Sequence, residues 1–394
     1  MKTTYKLQLK VISPLFIGSG DVYNRTDYIR NPKEKKVYLL NKRKWIQFLD
    51  RFKLYDNFMK QIIENSSNLD IYEWLKKLEI KKDKLFDEIS LMADNIFDIS
   101  HLEQFKNHEI HSFIKNANNE PYIPGSSIKG AIVTAVLSSI LKNEQQNQKK
   151  FGNWKDDIKK IKNNEEAIKI NDEIMKNLLN YEINDEIIQN LLEYKIKDVN
   201  NQAIIRGMSG LSISDSEPIK KEYLKLYKKK DIIIKDGKIR TKKENGQPVY
   251  REYIDVGAVT TFTITIDRNK LKKDIGINDL NSLLKVLSSR IKLLYDKDGT
   301  IRAWEESSAY LPENVFDSGI IQIGGGAGFH SKTIISSLSS NNKDANQITK
   351  NILNINFSKN RHTQDNPISP RALKVVRVKD KDLFIGFCQI KEIN

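Results

Sequence analysis

Pro121-Tyr122-Ile123-Pro124-Gly125-Ser126-Ser127-Ile128-Lys129-Gly130-Ala131-Ile132 is the stretch on which the reading of this 394-residue chain turns. Two prolines and a glycine halt the preceding segment, a serine caps, and the apolar run from Ile128 to Leu141 propagates as a helix. A helix start of this kind presents unpaired backbone N–H groups at the positive end of the helix dipole. With Ser126 and Ser127 beside them and Lys129 in the first turn, it suits a phosphate. The glycine–lysine spacing of a Walker loop is absent. The competing reading is an ordinary capped core helix.

Strand signals lie on both sides of that helix. Upstream, Tyr5, Leu7, Leu9 and Val11 share one parity and read as a half-buried strand; Gly18-Ser19-Gly20-Asp21 marks a loop, and Val37 to Leu40 reads as a second short strand. From Trp45 the period becomes helical, through Phe48, Leu49, Phe52, Tyr55, Met59, Ile62 and Ile63, and helical patterning continues to Phe105. Downstream, Lys142 to Asn200 is rich in Lys, Asn and acids and nearly neutral, which predicts a second helical insertion. Alternation returns at Leu211 to Ser214 and strongly at Thr261 to Ile266. The lysine-rich segment between them, punctuated by Asp236-Gly237 and Asn245-Gly246, predicts a long hairpin or mobile loop. A helix is expected near Asn278 to Leu294, and strands over Leu373 to Val378 and Leu383 to Ile390. Strands with helices between them, without a long run of strand–helix repeats, give an α+β class.

Lysine and arginine number 66 against 51 acids, a net charge of +15, which favours a polyanionic partner. The excess is concentrated. It is +7 over Tyr23–Lys53, +7 over Ile219–Glu252 and +5 over Ser358–Lys379, which leaves the rest of the chain at −4. Such separated blocks predict a basic groove assembled from distant segments. The single cysteine, Cys388, excludes a disulfide framework and a cysteine-rich zinc site. No apolar segment has signal-peptide or membrane-spanning length, so a cytoplasmic location is expected.

A second motif follows the apolar segment Ile320 to Ile323. Gly324, Gly325, Gly326 and Gly328 let the backbone approach a ligand and direct N–H groups at an anion. Phe329 is placed to stack a base, and His330 and Lys332 to hold phosphates. The ribose-binding acid of a dinucleotide fold is missing. His101, His108 and His111 make a weak metal motif. Asp21, Asp27 and Asp215 are candidate ligands for a divalent ion, although loop aspartates are mostly turn or cap residues.

In their order and polarity, the helix start Ile123 to Ile132 and the loop Ile323 to Thr333 resemble the first core helix and the glycine-rich loop of the RAMP superfamily of CRISPR-associated proteins. Three more segments extend the likeness: Ser13-Pro14-Leu15-Phe16-Ile17-Gly18-Ser19-Gly20-Asp21, Ser214-Asp215-Ser216-Glu217-Pro218, and Pro370-Arg371-Ala372-Leu373 running on to Leu383 to Cys388. The series is most similar to the terminal, fifth Csm subunits of type III-A effector complexes.

The resemblance implies a ferredoxin-like (RRM-like) core with large helical insertions. The core would comprise residues 1–42, 112–142 and 205–330, the insertions 43–111 and 143–204, and residues 331–394 would complete the core sheet. It further implies a non-catalytic subunit that holds single-stranded guide RNA (crRNA) by its backbone near the guide's 3′ end and supports guide maturation in antiviral defence. Expected partners are the other Csm subunits, the repeating backbone subunit above all, and host ribonucleases. Ser126, Ser127, Lys129, Gly324, Gly325, Gly326, Gly328, Phe329, His330 and Lys332 are the expected RNA contacts, with Arg25, Arg206 and Arg371. No catalytic residue, metal or cofactor is expected. Two enzymatic alternatives stand beside this reading. One is a guide-processing endoribonuclease using His330 as base with Lys332 or Tyr122. The other is a metal-dependent backbone-type ribonuclease using Asp21 or Asp27.

Overall fold

The computed structural model describes residues 2–65, 69–78, 82–102, 105, 108–143, 193–197, 202–206, 208–235, 238–241, 248–271, 275–339, 341–357 and 362–393. In chain order the elements are β1 (Lys2–Val11), β2 (Gly18–Tyr23), β3 (Tyr28–Asn31), β4 (Lys36–Leu40), α1 (Lys42–Arg51), α2 (Tyr55–Asn65), α3 (Ile71–Lys77), α4 (Lys82–Met92), β5 (Ala93–Asp98), β6 (Ile110–Phe113) and α5 (Gly125–Asn143). There follow β7 (Glu193–Lys197), β8 (Gln202–Arg206), β9 (Leu211–Ile213), β10 (Leu224–Lys235), β11 (Lys238–Thr241), β12 (Tyr250–Ile254), β13 (Val259–Asp267) and α6 (Leu280–Tyr295). The chain ends with β14 (Ile320–Gln322), α7 (Ile335–Leu338), α8 (Asn342–Asn356), β15 (Ala372–Val378), β16 (Lys381–Phe384) and β17 (Phe387–Glu392).

The alternation in β1 does what its parity dictates: Leu7, Leu9 and Val11 are buried, and the strand pairs antiparallel with β13 from Lys2 to Lys10. The sheet it anchors has the order β14-β17-β1-β13-β9, with every neighbouring pair antiparallel. Within it, β1, β9, β13 and β17, with α5 after the first and α6 after the third, stand fourth–first–third–second, the order of a split βαββαβ unit. Ile128, Ile132 and Val136 of α5 and Leu283 and Leu287 of α6 share one core with Leu7, Leu9 and Phe262 of the sheet. A capping box between Asp279 and Ser282 starts α6 where the sequence placed a helix.

A second sheet runs β16-β15-β10-β12-β6-β2, with β11 paired antiparallel to the far end of β10. A third, β3-β4-β5, carries α1 to α4 around its own core of Trp45, Phe48, Leu49, Trp74, Leu75 and Ile89. The aromatic stripe that opens at Trp45 is therefore helix core in its buried half.

Several expectations differ from the structure. Gly18 to Asp21 is not a loop but part of the edge strand β2, whose pairing with β6 shifts register between Gly18 and Val22. The helical block ends earlier than Phe105, because Ala93–Asp98 leaves α4 as β5 and pairs with β4. Leu383 to Ile390 is two strands in two sheets. Gly386, at φ +91° with its Cβ position 2.1 Å from the Ile323 carbonyl oxygen, breaks the run where only glycine fits. The predicted helical insertion from Lys142 to Asn200 lies largely outside the described residues (144–192 and 198–200), and its described end is β7, paired antiparallel with β8. Asp236-Gly237 and Asn245-Gly246 also lie outside the described residues.

Candidate nucleic-acid interface

The glycine loop is fastened from below by the segment Ser13 to Ile17. Phe387 N–H donates to Ser13 Oγ at 2.8 Å, Gly386 N–H to the Pro14 carbonyl at 2.9 Å and Gly325 N–H to the Phe16 carbonyl at 2.7 Å. Leu15 bridges to Ile254 of β12, and Ile114 N–H reaches the Ile17 carbonyl. Three motifs far apart in sequence thus form one knot between the two large sheets. Gly324 sits in it at φ +85°, with its Cβ position 2.3 Å from the Phe16 oxygen. That glycine is fixed by close approach to protein backbone, and the Gly325 N–H is not free for an anion. Gly328, by contrast, has open space at its Cβ position.

The helix start is fastened in the same manner. Asp215 Oδ1 accepts the Gly125 N–H at 2.8 Å, and Ser216 exchanges two hydrogen bonds with the backbone of Ile123. The carboxylate of Asp215 therefore occupies the position at the end of α5 that an anion would favour, and caps the helix. Ser126 is exposed, and Ser127 and Lys129 are half-buried on the first turn.

Above the knot, strand pairing gathers cations from two of the three basic blocks. Lys229 of β10, Arg251 of β12 and Lys374 of β15 lie on one face of the second sheet, and Lys332 closes the glycine loop beside them. The Arg251 guanidinium stands 4.6 Å from the centre of the Phe16 ring, and one of its nitrogens is 3.7 Å from the Gly326 Cβ position. Asp231 is the acid within this group, paired with Lys229 at 2.8 Å. Desolvation, then Lys229, Arg251 and Lys332, hold the Lys374 ammonium below the usual lysine range, with Asp231 partly offsetting them. Its side chain nevertheless reaches the surface. Cations that depress one another's charge in this way form a site to which a polyanion is attracted.

Lys332 is exposed and Phe329 half-buried beside the glycines. His330 is not at this surface. It is 2 % exposed, its Nε2 bonds the Ser369 carbonyl at 2.6 Å, and burial lowers its pKa to about 4. The imidazole is therefore directed into the protein, at the Ser369 carbonyl, and not at the surface where the sequence placed it. Arg371 is half-buried with its guanidinium 3.5 Å from the Asp365 carboxylate. Arg25 is half-buried in the turn after β2, and Arg206 ends β8. The first basic block falls on β3, β4, α1 and the turn before them.

The metal motifs are not assembled. His101 bonds the Leu226 carbonyl, and His108 stacks on Tyr250. Asp27 accepts the Asn24 N–H, and Asp21 is exposed on the edge strand. Among the described residues no three His, Cys, Asp or Glu side chains converge. Sequence reasoning missed Lys229, Arg251 and Lys374 as individuals. Their blocks were legible, but only the β10–β15 and β10–β12 pairings bring them to the loop. A buried pair also escaped notice. Glu252, fully buried, accepts from Lys115 Nζ at 2.6 Å, Phe113 N–H at 2.8 Å and Ser112 Oγ at 3.1 Å. Burial opposes the Lys115 charge, but Glu252 and Tyr23 outweigh it and raise the ammonium above its ordinary range.

The profile of the RAMP superfamily matches residues 8–329, and the chain belongs to that superfamily. Similar relatives carry the name CRISPR system Cms protein Csm5. The one from Enterococcus italicus is 21% identical over 295 residues, 70% of this chain and 64% of the relative. That from Streptococcus thermophilus is 29% identical over 151 residues, covering 36% and 41%. That from Mycobacterium tuberculosis is 20% identical over 404 residues, covering 98% and 96%. Among solved structures, a chain of a type III-A Csm–crRNA–target RNA ternary complex superposes with a TM-score of 0.63 at 18% identity, over 99% of this chain and 100% of that one. Csm5 of T. onnurineus gives a TM-score of 0.56 at 19% identity, over 97% and 99%. No described helix is long and apolar enough to cross a membrane.

Proposed function

We propose that this chain is the terminal RAMP subunit of a type III-A Csm effector, a non-catalytic protein that binds single-stranded guide RNA near its 3′ end and supports guide maturation. The observation that carries the reading is the face formed by Arg251, Lys374 and Lys332 beside the glycine loop. It presents positive charge and open backbone at Gly328 to a phosphodiester, while the nearest imidazole is buried and tied. Phosphate contacts of this kind position a strand without reading its sequence. The other Csm subunits, chiefly the repeating one, are its partners in this reading, with host ribonucleases recruited for maturation. Ser126, Ser127 and Lys129 extend the RNA path along the first turn of α5.

The test is incubation of the purified chain with labelled guide precursor, with and without a chelator, alongside a binding titration. The reading predicts salt-sensitive retention of intact RNA under both conditions. Cleavage by the chain alone, or no preference for single-stranded RNA over duplex DNA, contradicts it.

A further inference from the structure

Behind the glycine loop lies a buried cation that the interface described above does not use. Arg290, in the middle of α6, is 7 % exposed. Its guanidinium donates to Ser138 Oγ of α5 at 2.9 Å and to the carbonyls of His330 and Thr333, each at 2.5 Å. One side chain thus ties both core helices to the turn that leaves the loop. All its acceptors are neutral, its Nε has no partner, and among the described residues no carboxylate pairs with it. A buried charge without a counter-ion is costly, and proteins usually pair it. Here desolvation lowers the Arg290 pKa to about 10, which leaves the group charged at neutral pH.

The arrangement has two consequences. Because carbonyl and N–H point in opposite directions across a trans peptide, holding the His330 oxygen turns the Ser331 N–H away from the guanidinium. The full positive charge also stands, in a medium of low dielectric constant, behind a segment whose next residue is the exposed Lys332.

We infer that Arg290 is a positioning residue of the glycine-loop RNA site and that the counter-ion missing from its buried guanidinium is supplied by an RNA phosphate bound across the loop. The inference rests on the RNA-binding reading given above. It assigns the site a cation that no surface inspection reveals, and it makes the order of residues 330–333 depend on the same charge that attracts the strand.

The experiment compares the full chain with Arg290→Met, which keeps length and removes charge, and Arg290→Lys, which keeps charge but cannot span three acceptors. Binding of a fluorescent oligouridylate is measured across a salt series, with folding checked by circular dichroism. Arg290→Met is expected to weaken binding about tenfold at low salt and to make the log–log salt slope shallower by about 0.7, the loss of one phosphate neutralised. Arg290→Lys is expected to keep the parental slope, with affinity within about threefold. A folded Arg290→Met with parental affinity and slope overturns the inference. Should Arg290→Met not fold, Arg290→Lys decides alone, and a shallower slope in that variant overturns the inference. If the parent itself fails to bind the oligouridylate, the RNA-binding reading falls, an outcome distinct from equal binding by parent and variants.

Discussion

Replacing Lys332 and Lys374 together by alanine removes two of the four cations at the glycine loop, and its effect follows from charge alone. Asp231, 2.8 Å from Lys229, cancels one of the four, so the face carries a net charge of three. Neutralising about three phosphates at this face contributes about −2 to the log–log salt slope, and the variant, left with one, about −0.7, the contribution of the buried Arg290 being common to both. At low salt the two lost charge-assisted contacts weaken binding by about 2 kcal/mol, or about thirtyfold. Because the slopes differ by about 1.4, raising the salt about sixfold narrows that gap by about tenfold. Both side chains are exposed, so the fold is expected to survive. Fluorescence anisotropy with a labelled single-stranded RNA across the salt series reads both quantities. Parallel salt plots for parent and variant would refute the reasoning, whatever their separation.

Three further outcomes concern the framework of the site. Gly324→Ala puts a Cβ 2.3 Å from the Phe16 oxygen at φ +85° and is expected to destabilise the chain by about 2–4 kcal/mol in urea unfolding, with the salt slope of any folded fraction unchanged. Lys115→Met strands Glu252 in the core and is expected to cost about 3–5 kcal/mol in the same assay, whereas Glu252→Gln, which leaves no buried carboxylate, costs less. His330 has its pKa lowered to about 4 by burial, so between there and its ordinary value near 6.5 the unfolded chain binds more protons than the folded one. Stability should therefore be full above about pH 6.5 and fall by about 3 kcal/mol as pH drops through 4, and His330→Gln should flatten that dependence.

The elements that sequence patterning revealed are those whose signal is local. The unbroken alternation of β1 and β13 and the apolar run of α5 were each decided by neighbours within one strand or helix. What stayed hidden depends on distant partners. β2 is polar and mostly exposed because it is an edge, so it carries no alternation to read. β5 follows α4 without a breaker, and only its pairing with β4 makes it a strand. The cation face was legible as charged blocks but not as a site, since Lys229 meets Val376 across a pairing that closes only when the C-terminal strands return. The motifs behind the resemblance misled in one respect. The glycines were read for anion binding and Asp215 as a candidate metal ligand, whereas Gly324, Gly325 and Asp215 hold protein backbone.

The central claim is that guide RNA lies across the loop at Gly328 to Lys332 and the Arg251–Lys374 face. Ultraviolet crosslinking of the intact ribonucleoprotein assembled around this chain, with the peptides read by mass spectrometry and the RNA by sequencing, tests it directly. The account predicts crosslinked peptides that contain Phe329 or Lys374, joined to nucleotides toward the 3′ end of the guide. Guide RNA that crosslinks to this chain only through other surfaces, or does not crosslink to it at all, contradicts the account.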